Sequence, residues 1–302
     1  MKFFFLAHGV VSYECLKYLL QNGYKPAFAV THKSLDYDRL KNSFYEPIAA
    51  LAKEHSVPLF GVGKLIELKD SIQKTDIGIC VGFMEIINKE ILDAPKNGII
   101  NVHGGKLPQY RGRAPISRSI MNGEKFFNLT LHKMDEGVDS GPVCLESAIP
   151  ITDKDDIVTL SAKCAAEAGP LVERFFEASN RNSLDCTEQN LLKNSKPYRS
   201  ITEEERKIDW SCSSRTIFNL IRALIPPFPG AYFEYNNSKF IALRAELLLD
   251  NEVGEPGNVL LVEDNSLVIK CGNGSLSITS VSDENLNPVS IINNFHKGDK
   301  LQ

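Results

Sequence analysis

Apolar residues in the first third of the chain come in short runs separated by stretches with helical spacing. Lys2–Ala7, Ala27–Thr31, Ile77–Val81 and Gly98–Val102 read as buried strands, with helices over Tyr13–Asn22 and Glu46–His55. Short apolar runs are what strands covered on both faces require, and their alternation with helices predicts βαβ units and a mainly parallel sheet. Phe127–Lys133 and Val143–Glu146 read as an antiparallel addition to that sheet. Ile157–Ala178 has helical spacing and follows the acidic run Thr152–Asp156, where negative side chains suit a helix N-terminus.

From Ser179 to about Arg206 the chain turns polar and reads as a linker. Beyond it, Thr216–Leu224 is helical and the run Pro226-Pro227-Phe228-Pro229-Gly230 stops it. Short strand patterns follow at Ala231–Tyr235, Phe240–Leu248, Asn258–Val262, Leu267–Lys270 and Leu276–Val281, separated by Asn, Gly and Asp turns. Strands of that length and spacing predict a small β-barrel. The expected organisation is an α/β domain over 1–178, a linker over 179–206 and a second domain over 207–302. A length of 302 residues also exceeds one average domain.

The formal net charge of −4 argues against a general affinity for nucleic-acid phosphates, leaving local basic groups such as Lys106, Arg111, Arg113 and Arg118. Phe3–Ala7 is too short an apolar run for a signal peptide, and no run reaches the roughly 18 apolar residues of a membrane span. Seven cysteines (Cys15, Cys80, Cys144, Cys164, Cys186, Cys212, Cys271) are scattered and lack a Cys-x-x-Cys pair. They are expected to be mostly small core residues, with no disulfide framework and no zinc site. The reducing cytoplasm is the expected compartment.

Asn101 and His103 occupy alternate positions of a run leaving a strand, so their side chains point the same way. Ligands of parallel sheets lie beyond such strand ends. Asp139 sits in a second turn between Gly137 and Gly141. Amide, imidazole and carboxylate are what acyl transfer to a nitrogen needs: an oxyanion donor, a proton-handling group, and an anion to orient and polarise that group. Taken singly, each is also a common turn former, and Asp135 and Glu136 compete with Asp139. The first βα turn, Ala7-His8-Gly9-Val10-Val11-Ser12, has one glycine where a dinucleotide-binding turn needs three, which argues against NAD or FAD.

The run Asn101-Val102-His103-Gly104-Gly105-Lys106-Leu107-Pro108-Gln109-Tyr110-Arg111-Gly112-Arg113-Ala114-Pro115, followed by Met134–Gly141, resembles the folate-dependent formyltransferases. Ile208-Asp209-Trp210 and the run Asn219–Ala231 resemble the start of that family's carboxy-terminal domain, so the likeness covers nearly the whole chain. The resemblance implies a Rossmann-like α/β catalytic domain, a smaller OB-like β-barrel domain, and formyl transfer from 10-formyltetrahydrofolate to an amine without a metal. It makes Asn101 an oxyanion donor, His103 the proton-handling or cationic partner, and Asp139 the carboxylate that pairs with the histidine. Gly82, Phe83, Met84, Glu85 and Ile86, with Leu107 and Pro108, would hold the donor. His8 and Gly9 read either as a plain tight turn or as an approach to the acceptor, and Lys106, Arg111 and Arg113 either as solvated surface charge or as a hold on phosphate or the folate glutamate. Trp210 reads as a core or inter-domain anchor.

For the acceptor, Thr31-His32-Lys33, Ser43–Ile48 with Leu51-Ala52, and Tyr110–Pro115 look most like the branch that formylates UDP-4-amino-4-deoxy-L-arabinose. The stretch Ser34–Lys41 has balanced charge where tRNA-dependent relatives carry a basic loop. The expected partner is therefore a small nucleotide sugar, with no membrane, and with nucleic acid only under the alternative of a methionyl-tRNA formyltransferase. A 10-formyltetrahydrofolate hydrolase and a non-catalytic folate-binding protein are the remaining alternatives, and homo-oligomerisation stays open. Two departures stand out: no dehydrogenase half follows before Gln302, and Gly105 occupies a position where most relatives have Ser.

Overall fold

The computed structural model describes residues 1–32, 45–191, 196–248 and 253–302. Lys33, the stretch Ser34–Lys41, Ser43 and Phe44, which bear on the acceptor, lie outside them. The chain forms two compact units. The first comprises Met1–Pro115, Phe126–Pro150 and Ser161–Tyr198, and the second Ile116–Lys125, Ile151–Leu160 and Arg199–Gln302.

The first unit carries seven strands: β1 (Phe3–Ala7), β2 (Ala29–Thr31), β3 (Leu59–Gly61), β4 (Ile77–Val81), β5 (Ile99–Gly104), β6 (Phe126–Lys133) and β7 (Val143–Pro150). They form one sheet in the order β3-β2-β1-β4-β5-β6-β7. The first five run parallel, while β6 and β7 are antiparallel. Helices α1 (Gly9–Gln21), α2 (Tyr45–Glu54), α3 (Lys69–Ile72) and α4 (Lys89–Leu92) follow the parallel strands; along the chain α5 (Pro115–Met121) comes before the antiparallel pair and α6 (Ile157–Asn180) after it.

Every residue of β1 and β4 is buried, which is why both read as unbroken apolar runs. Phe4, Leu6, Val30, Cys80 and Ile99 pack into one core with Ile72, Ile91 and Leu92 of α3 and α4. Phe3 faces the opposite way, its ring 5.0 Å from that of Phe176 on α6. α6 lies so close to α1 that a Cβ on Gly169 would meet the Tyr18 ring at 2.6 Å. The chain reverses its direction of travel across the sheet at β1, between β2 and β4. The ends of β1, β4 and β5 therefore open onto one crevice.

The second unit contains α7 (Ser214–Leu224), strands β8 (Ala231–Tyr235), β9 (Ser238–Leu248), β10 (Val259–Glu263), β11 (Ser266–Lys270) and β12 (Ser275–Asp283), and the short α8 (Ile291–Asn294). Its strands form an antiparallel sheet in the order β10-β11-β12-β9-β8. Among the described residues no ladder joins β8 to β10, so the sheet keeps two edges. Trp210 is buried edge-on to Phe233 with centroids 5.8 Å apart, a core position. The Asn219–Arg222 signature is structural: buried Arg222 donates from Nη1 to the carbonyls of Thr152 (2.6 Å) and Asp155 (2.7 Å) and from Nε to Asn219 Oδ1 (3.0 Å). Satisfying two carbonyls with one buried guanidinium fixes the segment that enters α6.

The cysteines depart from expectation at one pair. Cys15, Cys80, Cys164 and Cys271 are buried, as small core residues should be, but Cys144 and Cys186 form a disulfide across 42 residues. Next to it, Val143 and Thr187 exchange two backbone hydrogen bonds of 2.8 Å, so a polar segment of the expected linker is fastened to β7. The sequence hides this because only the fold brings that segment alongside β7. Loop-closure entropy for such a separation is worth about 4 kcal/mol, or about 10 °C in melting temperature for a domain of this size. Peptide mapping without reductant should recover the Cys144–Cys186 cross-link. Dithiothreitol should lower the melting temperature of the wild type and leave a Cys144→Ser variant unmoved.

Candidate active site

Four side chains meet where β5, β6 and two loops converge. Asn101 and His103 project from one face of β5. Across the antiparallel pairing Asn101 stands directly opposite His132, and His103 opposite Thr130. Asp139 arrives from the loop between β6 and β7 with φ +48, a left-handed conformation rare for a side-chain-bearing residue. Its carboxylate lies 3.5 Å from Asn101 Nδ2, 3.5 Å from His103 Nδ1 and 3.6 Å from His132 Nε2, and it accepts the Gly112 backbone N–H at 2.9 Å. The three residues read from sequence are thus brought together. His132 was missed, although its place on a strand expected to run antiparallel beside Asn101 was the available signal.

Hydrogen-bond partners set the orientation of each group. His132 Nδ1 is 2.9 Å from the Lys133 carbonyl, so it carries the proton and leaves Nε2 to accept from Asn101 Nδ2 at 3.1 Å. Both hydrogens of the Asn101 amide are then engaged, one by His132 and one, at longer range, by Asp139. His103 Nε2 donates to the Tyr110 carbonyl at 2.7 Å, which leaves Nδ1 as the nitrogen that faces Asp139.

Charge follows from these contacts. Burial lowers the affinity of His103 for a proton, and although Asp139 and the Tyr110 carbonyl oppose this, the net effect is a pKa below the usual imidazole value. The free protein therefore holds a neutral His103 at neutral pH. For Asp139, burial raises the pKa, but the Gly112 N–H and the His132 and His103 rings in their protonated forms, the forms present where a carboxyl titrates, outweigh it and bring the carboxyl to about 2.

The neighbouring loops are tightly built. A cis peptide precedes Pro108. Gly112, with φ +93, leaves no room for a side chain, because a Cβ there would meet the Tyr198 carbonyl at 2.3 Å. A Cβ on Gly105 would lie 2.9 Å from Tyr110 Cβ and 3.0 Å from both His103 Nε2 and Pro115 Cβ. Thr130 donates to the Gly105 carbonyl at 2.8 Å, holding the loop from below. Arg111 Nε donates to the Val138 carbonyl at 2.8 Å, tying this loop to the Asp139 turn, whereas Lys106 and Arg113 are exposed.

Beyond β4, Gly82 (φ +64) packs against the His8 carbonyl, and residues 83–86 lie outside any helix or strand. Met84 (41%) and Ile86 (94%) leave apolar surface exposed, and Phe83 lies 4.8 Å from the ring of buried His32. His8 meets His32 edge-on at 5.0 Å. Burial lowers the pKa of both. Among the described residues no group of three or more His, Cys, Asp or Glu side chains is placed to hold a metal ion. No helix among them is long and apolar enough to cross a membrane.

Residues 21–174 match the family model described as formyl transferase, and residues 200–299 that of the formyl transferase C-terminal domain. A methionyl-tRNA formyltransferase of Agathobacter rectalis is 31% identical over 93% of this chain and 91% of its own. The bifunctional polymyxin resistance protein ArnA of Wigglesworthia glossinidia brevipalpis is 30% identical over 93% of this chain, which spans 42% of that protein. Among solved structures, the sugar 3N-formyl transferase WlaRD, described in the presence of dTDP and 5-N-formyl-THF, superposes with a TM-score of 0.69 at 20% identity, covering 92% of this chain and 97% of its own. An N-formyltransferase of Helicobacter canadensis, in complex with folinic acid and dTDP-3-aminofucose, gives a TM-score of 0.68 at 19% identity and covers 92% and 99%.

The Asp139 environment predicts a pH dependence of stability. Its pKa of about 2 lies below the unfolded value near 3.8. Its contribution, about 2 kcal/mol, is therefore complete above pH ~4 and lost as pH falls through 2. His103, neutral when folded, removes stability as pH falls below about 6.5, because only the unfolded chain then takes up the proton. Urea titrations should show Asp139→Asn destabilised by about 2 kcal/mol at pH 7, with the gap closing towards pH 2. A gap unchanged down to that pH would contradict the assignment.

Proposed function

The chain belongs to the formyl transferase family and is a formyltransferase. From that premise we propose that it moves the formyl group of 10-formyltetrahydrofolate to the amine of a nucleotide-linked 4-amino-4-deoxy sugar of the UDP-4-amino-4-deoxy-L-arabinose type. The observation that carries the reading is the Asn101–His103–Asp139 cluster at the strand ends, completed by His132. A site that only binds folate has no need of a buried imidazole held against a half-buried carboxylate.

The donor supplies an acyl carbon activated on nitrogen. The exposed apolar side chains of Met84 and Ile86, the Phe83 ring and the irregular backbone of 83–86 suit a flat heterocycle with polar edges, and Leu107-Pro108 would line it from the β5 side. Folate ligands in the two superposed sugar formyltransferases support the same donor here.

Neutral His103 begins as a base. As the acceptor nitrogen forms its bond to the formyl carbon, the carbonyl electron pair moves to oxygen and the amine proton passes to His103 Nδ1, directly or through water. The resulting imidazolium is held between the Tyr110 carbonyl and the Asp139 carboxylate. Asn101 offers its amide N–H to the oxyanion by exchanging the longer of its two hydrogen bonds, the one to Asp139. The proton on His103 then goes to the leaving folate nitrogen as its bond to carbon breaks. Of the two roles that the family resemblance allows His103, the buried neutral ring favours proton handling.

For the acceptor, the Tyr110–Pro115 run and the net charge of −4 favour a sugar over tRNA. Methionyl-tRNA is the second reading, supported by the near end-to-end match to the Agathobacter rectalis enzyme. We place the activity in the cytoplasm on the four buried free thiols, against which the Cys144–Cys186 disulfide counts.

Asn101→Ala, His103→Ala and Asp139→Ala should each lower kcat by about 10²–10³, and the losses should not multiply in double variants because the groups act on one intermediate. Near-normal turnover in any two would refute the cluster. Tetrahydrofolate release from 10-formyltetrahydrofolate should require UDP-4-amino-4-deoxy-L-arabinose. Release driven by methionyl-tRNA alone would select the second reading, and release without any amine would indicate a hydrolase.

A further inference from the structure

The segment fastened by the disulfide does more than cover the sheet edge. Three residues beyond Cys186, Gln189 reaches the catalytic turn and donates from Nε2 to two backbone carbonyls, that of Asp139 at 3.0 Å and that of Gly141 at 2.7 Å. Two carbonyl acceptors can be satisfied only by the amide nitrogen, so the orientation of the side chain is fixed by its partners. Its Oε1 is buried and accepts no hydrogen bond from the described residues. Burying an amide oxygen in that state is unfavourable, and the placement makes sense where the two donated bonds matter.

The turn needs such a clamp. Asp139 carries a left-handed backbone, and Gly141 packs so tightly that a Cβ would lie 2.1 Å from the Lys133 carbonyl. Ser140 is tied to Asp135 at 2.7 Å, and Arg111 holds the Val138 carbonyl. Those contacts brace the approach to the turn. Gln189 alone among these side chains spans Asp139 itself and the residue two further on.

We propose that Gln189 is a positioning residue for formyl transfer: by bridging the Asp139 and Gly141 carbonyls it holds the turn that aims the Asp139 carboxylate at His103 and Asn101. The disulfide and the Val143–Thr187 pair deliver Gln189 to that place. The proposal rests on the reading of Asp139 as a catalytic group. Gln189 touches no reacting atom.

The test compares Gln189→Ala and the near-isosteric Gln189→Glu, which loses both donors, with Asp139→Ala. Assays use 10-formyltetrahydrofolate with UDP-4-amino-4-deoxy-L-arabinose, or methionyl-tRNA if that acceptor is selected. Displacing a catalytic group by about 1 Å can cost on the order of 10²-fold, so both Gln189 variants should lose roughly 10- to 100-fold in kcat. KM should stay within about twofold, since uniform binding is untouched. The acid limb of the kcat profile should also move to lower pH. Of the two titratable neighbours facing His103, Asp139 and His132, the carboxylate raises its proton affinity, and a displaced carboxylate raises it less. Wild-type kcat in Gln189→Glu overturns the proposal. So does a loss of kcat that disappears well below the melting temperature, or one that leaves the acid limb in place. An active Asp139→Ala would instead overturn the catalytic reading beneath it.

Discussion

One carboxylate, shared among four partners, is the constraint to which the rest of the site is fitted. Asp139 accepts a backbone N–H from Gly112, lies beside the imidazoles of His103 and His132, and receives the far hydrogen of the Asn101 amide. The partners come from three pieces of chain: the loop after β5, β5 itself, which supplies both Asn101 and His103, and β6. A half-buried anion is tolerable only while all of them are in place, because its desolvation must be offset by hydrogen bonds. The same arrangement keeps His103 neutral yet provides for its cation, with a carbonyl on one ring nitrogen and a carboxylate by the other.

The sheet topology makes that convergence affordable in conformational terms. Parallel strands β1, β4 and β5 bring three loops to one edge, as doubly wound sheets do. The antiparallel β6 then runs back past β5 and sets His132 opposite Asn101, so the amide is oriented by a strand partner and not by a mobile loop. A site built on strands in this way holds its geometry more closely than one built on loops. The loops that do contribute are stiffened locally: Gly112 and Gly141 allow backbone approaches that a Cβ would block, and Arg111 joins the two turns.

Much of this was legible because buried parallel strands announce themselves as unbroken apolar runs. Ile77–Val81 and Ala231–Tyr235 have the bounds expected of them, and the paired strands after Met121 lie where the pattern put them. β3 was missed because it has only three residues, each half-exposed, and so carries neither periodicity nor a full apolar run. Helix α1 begins at Gly9, four residues earlier than its spacing suggested, since His8-Gly9 reads as a turn. Asn101, His103 and Asp139 were found through their motif. His132 and Gln189 were not, for a physical reason: one depends on cross-strand register and the other on a loop folded back over 48 to 50 residues. Short-range pattern carries no record of either. The Cys144–Cys186 pair escaped for the same cause.

Gly105 carries a consequence for substitution. Its backbone would accept any residue, but the space where a side chain begins is taken up by Tyr110, Pro115 and the donor nitrogen of His103, all within 3.0 Å. A serine there would press its Cβ on the imidazole before its hydroxyl reached anything. The neighbours fill the space that a side chain would need. Tyr110 or Pro115 must therefore yield first, and a substitution that looks small by residue type is, in this chain, conditional on a second change. Variants at position 105 disturb the His103 ring before they meet the substrate.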